Sequence, residues 1–190
     1  MDMDKRISCI TVLLLITFSV GCTEQQSKDN DYLDDIALTL EDLDGTYEIV
    51  NEDYITEPYS SDDSKLFSGW NVSQKYGVLF IKNDTDFIQH EIVKLPSNEK
   101  TVEFQNMLKN TVDDLGYDFI SVDIEEIGNI TLLFQADTQI NNINTTIYLL
   151  TFNYQDLVVI IQTASINKKT VTEYGFIVFN NILKVKENGF

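Results

Sequence analysis

The chain has 190 residues, 13 Lys and Arg against 31 Asp and Glu, and a net charge of -18. That surface repels nucleic acid and anionic lipid headgroups by Coulomb repulsion, and nucleic-acid binding is excluded as a role. The length allows one core of ordinary size once terminal segments are set aside.

Lys5-Arg6 is a short basic start, Ile7 to Val20 is almost wholly apolar, and Ser19-Val20-Gly21-Cys22 closes the stretch. The apolar run is shorter than the ~20 residues a helix needs to cross a bilayer. A basic start, an apolar middle and a small residue before a cysteine resemble the prokaryotic lipoprotein signal, with Ser19 standing where that family usually has Leu. The resemblance implies cleavage ahead of Cys22, acylation of Cys22, and a mature chain tethered by lipid at the outer face of the cell membrane. Cys9 falls in the discarded part, so the mature domain has no disulfide and no cysteine for metal or thiol chemistry. The expected organisation is a signal peptide over 1–21, an acidic tether over 22–35 and one domain over 36–190. The aspartates of the tether lack the glycine and terminal glutamate of a calcium loop, and read as solvated linker.

In chain order, Thr39 caps a helical turn over 40–43, and Tyr47 to Val50 forms a short strand. Residues 51–70, with Pro58, Ser60-Ser61-Asp62-Asp63-Ser64 and Gly69, read as a long irregular loop. Ser73–Lys82 and Phe87–Leu95 form a hairpin across Asn83-Asp84-Thr85-Asp86. Ser97 caps a helix whose Phe104, Met107, Leu108, Thr111 and Leu115 share a face, with Gly116 as its stop. Ile120, Val122 and Ile124 then alternate with polar residues, as do Ile130, Leu132, Phe134 and Ala136. Tyr148, Leu150 and Phe152 continue the pattern beyond the Asn141-Asn142 turn, and Leu157–Ala164 is apolar on both faces. These four runs predict an antiparallel meander whose last strand lies centrally. Val171, Tyr174, Val178, Ile182 and Val185 keep helical spacing to the end.

The fold class is therefore α+β, an antiparallel sheet of hairpin plus four-strand meander flanked by helices. This order, with Leu149-Leu150-Thr151-Phe152, Val158-Val159-Ile160-Ile161 and the closing Phe179-Asn180-Asn181-Ile182-Leu183, resembles the PsbP-like superfamily over residues 70–185. The resemblance implies an α/β/α sandwich, and binding or assembly roles more than catalysis.

Chemistry is sparse. His90, the single histidine, alternates with Ile88 and Ile92, which predicts a residue facing the core rather than a metal ligand or base. No G-x-S-x-G elbow, P-loop or dinucleotide fingerprint accompanies it. Asp62-Asp63, Asp113-Asp114 and Glu125-Glu126 are carboxylate pairs without the opposed geometry glycosidases need. Tyr47, Tyr54, Tyr59, Phe67, Trp70 and Tyr76 crowd around the irregular loop, and Tyr54, Tyr59 and Trp70 are the expected ligand or partner contacts. The expectation is an anchored extracytoplasmic binding or accessory protein, not an enzyme, with no cofactor and no metal. Its partners are the membrane, through the lipid, and a protein or small ligand of unknown kind. The alternatives are an envelope hydrolase using His90, Glu91 or a carboxylate pair, and a substrate-binding lipoprotein of a transporter. Four sequons, at Asn71, Asn83, Asn129 and Asn144, exceed the roughly two that chance gives by too little to argue for glycosylation.

Overall fold

A computed structural model of the chain describes residues 32–43, 45–55, 67, 69–115 and 117–187. Their centre is an antiparallel sheet of seven strands in the order β1-β2-β3-β7-β6-β5-β4. The strands are β1 (Glu48–Ile55), β2 (Gln74–Ile81), β3 (Phe87–Lys94), β4 (Ile120–Ser121), β5 (Ile130–Ile140), β6 (Ile143–Tyr154) and β7 (Leu157–Ala164). Among the described residues three α-helices accompany them: α1 (Leu33–Ile36), α2 (Asn98–Thr111) and α3 (Lys168–Glu187).

The alternation of side chains sorts the strands into two faces. Tyr76, Val78, Phe80, Ile88, Ile92, Leu150, Phe152, Val159 and Ile161 meet α1 and α3 through Leu33, Ile36, Val171, Tyr174, Val178 and Ile182. Val93, Phe134, Leu149, Val158 and Ile160 meet α2 through Phe104 and Leu108. Helices thus cover opposite faces of one antiparallel sheet, the α+β sandwich expected. β7 sits fourth of seven between β3 and β6, which explains why its side chains are apolar in both directions.

Local signals place the elements. Ser97 accepts a hydrogen bond from the Lys100 N–H at 3.3 Å to open α2, and Asn167 receives the Thr170 N–H at 3.0 Å at the start of α3. Asn141 and Asn142 adopt φ of 52° and 65°, the two left-handed positions of a tight hairpin turn between β5 and β6. Gly175 lets α3 approach the sheet: a Cβ there would lie 2.7 Å from Leu150 Cδ2 and 2.8 Å from Ile127 Cδ1.

Three expectations change. Residues 51–55 are not loop but the second half of β1, paired with β2 from Asn51↔Leu79 to Ile55↔Lys75. Their polarity suits an edge strand, which has a neighbour on one side alone. The first strand of the meander shrinks to Ile120↔Gln135 and Ser121↔Phe134, and Ile120 is 62% exposed. Val122 keeps a backbone bond to β5, its N–H to the Leu133 carbonyl at 2.8 Å, and with Ile124 packs on the α3-side core. The packed domain begins ahead of Ile36, because Leu33 is fully buried in the same core. The expected signal peptide, Cys22, most of the expected tether, Tyr59 and Gly116 lie outside the described residues.

Candidate functional site

Among the described residues a layer of buried polar chemistry lies on the face of the sheet that also carries α2. It grows from the alternation of β2 and β3. Lys75 and Gly77 on β2, and Gln89 and Glu91 on β3, all point to the α2 side, with Glu91 directly opposite Gly77. Gly77 has no side chain to occupy that square, so the Glu91 carboxylate leans toward Lys75, and Lys75 Nζ lies 3.3 Å from Glu91 Oε1. Both side chains are 5% exposed, and the Gln89 amide adds a hydrogen bond to the same oxygen at 3.2 Å. A desolvated pair of this kind holds only because each charge has its partner close by.

Aromatic rings stand beside it. Lys75 Nζ is 5.6 Å from the centre of the Phe67 ring. Phe67 stacks on Phe104 of α2 at 5.2 Å, and Trp70 meets Phe104 edge-on at 5.3 Å. The predicted contact residues are thereby separated. Trp70 is half-buried against α2, Tyr54 sits in β1 opposite Tyr76, and Tyr59 falls outside the described residues. The aromatic crowd seen in the sequence divides between the two faces, since Tyr47 and Tyr76 belong to the α3-side core.

Farther along α2 the polar layer continues. Gln105 Nε2 donates to Thr151 Oγ1 at 2.9 Å, and Asn153 Nδ2 donates to Thr101 Oγ1 at 2.9 Å. The Asn153 carbonyl oxygen receives the Ile130 N–H at 3.0 Å. Among the described residues, Gln105 Oε1 and Gln162 Nε2 in this layer have no hydrogen-bond partner. None of Thr101, Gln105, Thr151 and Asn153 was singled out from the sequence. Thr101 and Gln105 lie on the buried face of α2, and that placement was the one available signal.

His90 faces the other way. It is fully buried, and its Nδ1 accepts the Leu38 N–H at 3.2 Å, which fixes the imidazole proton on Nε2. Burial pushes its pKa down to about 3, so the ring is neutral over the ordinary pH range. An enclosed imidazole cannot meet a substrate, and Glu91 is held by Lys75. The hydrolase reading loses His90 and Glu91, while the side chains of Asp62-Asp63 and Asp113-Asp114 lie outside what is described. Glu125 and Glu126 are exposed, without the apolar pocket that a catalytic acid requires. Nearby, the Tyr76 hydroxyl donates to Glu52 Oε1 at 2.8 Å, and its ionisation is pushed up by burial first, then by that bond and the charges of Glu52 and Asp34.

A separate open groove of about 500 Å³ runs along the projecting β5–β6 hairpin, lined by Asp137, Thr138, Gln139, Asn144, Thr145 and Thr146. Its polar groups already pair across the hairpin, Thr146 with Asp137 at 2.8 Å and Gln139 with Asn144 at 2.9 Å. Among the described residues no cluster of three or more His, Cys, Asp or Glu could hold a metal ion, and no helix is long and apolar enough to cross a membrane. Of the sequons, Asn83 is internally engaged: its amide oxygen receives the N–H groups of Thr85 and Asp86, and its nitrogen donates to Asp86.

No family model and no curated protein matches the sequence. Among solved structures, the chain is similar to the extracellular domain of PknH from Mycobacterium tuberculosis, with a TM-score of 0.63 at 8% identity. The match covers 80% of this chain and 95% of that one. At such identity the likeness is one of fold.

Proposed function

We propose that the chain is a lipid-anchored extracytoplasmic domain that binds a partner or assists an envelope complex, and that it performs no chemistry of its own. One observation carries the reading: the groups that hydrolysis would need are committed inside the fold, His90 to the Leu38 N–H and Glu91 to Lys75. Support comes also from the leader ahead of Cys22 and from the fold shared with an extracellular domain of another protein. The PsbP-like resemblance agrees with a binding role.

The contact surface in this reading is the Trp70 side of the domain together with β1. Trp70 keeps part of its ring at the surface beside Phe104, and β1, which contains Tyr54, is an edge strand that among the described residues pairs with β2 alone. Edge backbone groups and a half-buried indole suit recognition of an extended segment of another protein.

The anchor is testable first. Cells fed radiolabelled palmitate should label the wild type and leave Cys22→Ser unlabelled and released from the membrane fraction. Equal labelling of the two proteins would remove the anchored reading.

A further inference from the structure

We propose that residues 32–43 form a strap that acid releases from the sheet, and that the His90 imidazole is the catch holding it at neutral pH. The inference goes beyond the binding reading and holds with or without a lipid on Cys22.

The strap lies over the α3-side core. Leu33, Ile36, Ala37, Leu38 and Leu43 are buried there, while Asp35, Thr39, Leu40 and Glu41 are exposed. Some of its backbone bonds stay within it: the Ala37, Asp42 and Leu43 N–H groups donate to the carbonyls of Asp34, Thr39 and Leu40. The Leu38 N–H instead crosses to β3, where His90 Nδ1 accepts it at 3.2 Å. Apolar burial holds the strap down without direction, and this bond fixes its place. Among the described residues the strap joins the fold at one end, through Gly45 at φ 109° ahead of β1. A segment joined in that way can lift while the strands stay paired.

The catch works in one protonation state. Nδ1 accepts a hydrogen bond while it has no proton of its own. His90 is fully buried, between Val78 of β2 and Ile161 of β7. Of the titratable groups on this face, Glu52 is bonded to the Tyr76 hydroxyl and Asp34 stands on α1. Tyr148 and Tyr174 pack into the core from β6 and α3, and Lys94 ends β3. Burial is the cause of the lowered His90 pKa, with no charged neighbour contributing. Nε2 has no acceptor among the described residues. A proton on Nδ1 would face the Leu38 N–H donor to donor and leave a charge in an apolar enclosure. Lifting the strap relieves both faults, because water then reaches the ring and the amide.

The lifted state therefore takes up a proton that the closed state refuses. Below the ordinary imidazole pKa of about 6.5, each pH unit raises the lifted population about tenfold. With a closed-state pKa of about 3, the whole span amounts to roughly three thousandfold. Lifting bares Leu33, Ile36 and Leu38 and the apolar residues they cover.

Amide hydrogen exchange of the full-length protein, followed by NMR from neutral pH to about 4.5 in low urea and corrected for intrinsic exchange, tests the catch. The Leu38 amide should lose protection about tenfold per unit below pH 6.5. It should exchange faster than Val159 and Ile161 and respond less to urea, because a lifted strap exposes less surface than an unfolded domain. His90→Gln offers a carbonyl acceptor that does not titrate, and should remove the pH dependence at Leu38; His90→Asn serves if that variant does not fold. Leu38 protection that stays flat with pH in the wild type would overturn the proposal. So would exchange of Leu38 at the rate and urea dependence of Val159 and Ile161, since the strap would then open with the whole domain. A pH slope that persists in the variant would assign the loosening to carboxylates and overturn the role of His90. The wild-type series decides by itself if neither variant folds.

Discussion

On the α3 side the sheet meets its helices through Val78, Phe80, Ile88, Ile92, Leu150, Phe152, Val159 and Ile161, with His90 and Thr163 as polar guests. On the α2 side the same strands present Lys75, Gln89, Glu91, Thr151 and Asn153, all buried, the last two beneath a helix that contributes Thr101 and Gln105. Burial is nearly complete on both faces, yet its energetic content differs. Apolar burial stabilises by roughly 1.5–3 kcal/mol per large side chain, whereas a buried ion pair repays little beyond its own desolvation. The α3 side holds the larger apolar cluster, and the α2 side has one of its own around Phe104, Phe134, Leu149, Val158 and Ile160. The α2 side depends on correct pairing, and a missing partner there is expensive.

The largest expected effect tests that dependence. Lys75→Ala leaves the Glu91 carboxylate desolvated and without its cation, 3.3 Å from where the ammonium stood. It should destabilise by about 3–5 kcal/mol, while Lys75→Met/Glu91→Leu should return within roughly 1–2 kcal/mol of wild type. Urea unfolding of the three proteins measures both. A double variant as damaged as the single one would mean that the pair stabilises in its own right, and the contrast between faces would weaken.

A smaller effect probes the polar guest of the apolar face. His90 has a folded pKa of about 3, against about 6.5 in an unfolded chain. Between these values the unfolded state takes up a proton and the folded state does not, so acid favours unfolding. The His90 contribution is intact above pH 6.5 and is lost by up to about 1.4 kcal/mol per unit as the pH falls from there toward 3. His90→Phe should be less stable at neutral pH, because the Leu38 N–H loses its acceptor, and should lack this share of the acid slope. Parallel pH profiles for the two proteins would mean that His90 is not enclosed as described.

The two faces were unequally legible in the sequence. The α3 side could be read because its signals are local: Val171, Tyr174, Val178 and Ile182 recur three and four residues apart, and Ile88, His90 and Ile92 alternate on one strand. β7 announced its central position by having no wet face. The α2-side polar layer was hidden because its partners are remote. Lys75 and Glu91 meet through strand register, and Gln105 reaches Thr151 across 46 residues of chain. In an acidic chain a lone carboxylate reads as solvated, and nothing local marks Glu91 as the exception. β1 was half-missed because Asn51, Glu52 and Asp53 have the polarity of a loop, although an edge strand tolerates it. Ile120, Val122 and Ile124 misled in the opposite way: their alternation is real, but the strand is two residues long and its pairing with β5 ends at the Val122 N–H. The site residues fared as their surroundings did. Trp70 was singled out as a recognition residue, and the Phe104 ring beneath it had no sequence signature connecting the two.

The smallest expected effect is the most discriminating between the faces. Gln105 is fully buried, donates one hydrogen bond to Thr151 and holds an acceptor oxygen without a partner among the described residues. Gln105→Leu keeps nearly the same volume, removes the unpaired oxygen and deprives the Thr151 hydroxyl of its donor. Loss of one neutral hydrogen bond costs about 1 kcal/mol, and removal of an unsatisfied buried acceptor returns a comparable amount. The two terms should cancel to within roughly 1 kcal/mol. The reverse edit on the α3 side, Val159→Thr, places a hydroxyl among apolar neighbours and should cost about 1–3 kcal/mol with nothing to offset it. Melting curves of the two variants, measured side by side, give the difference. If Gln105→Leu proved the more damaging, the polar layer under α2 would be a stabilising network rather than a tolerated one. Its satisfied members, Thr101 with Asn153 and Gln89 with Glu91, would then be the first candidates for the missing stability.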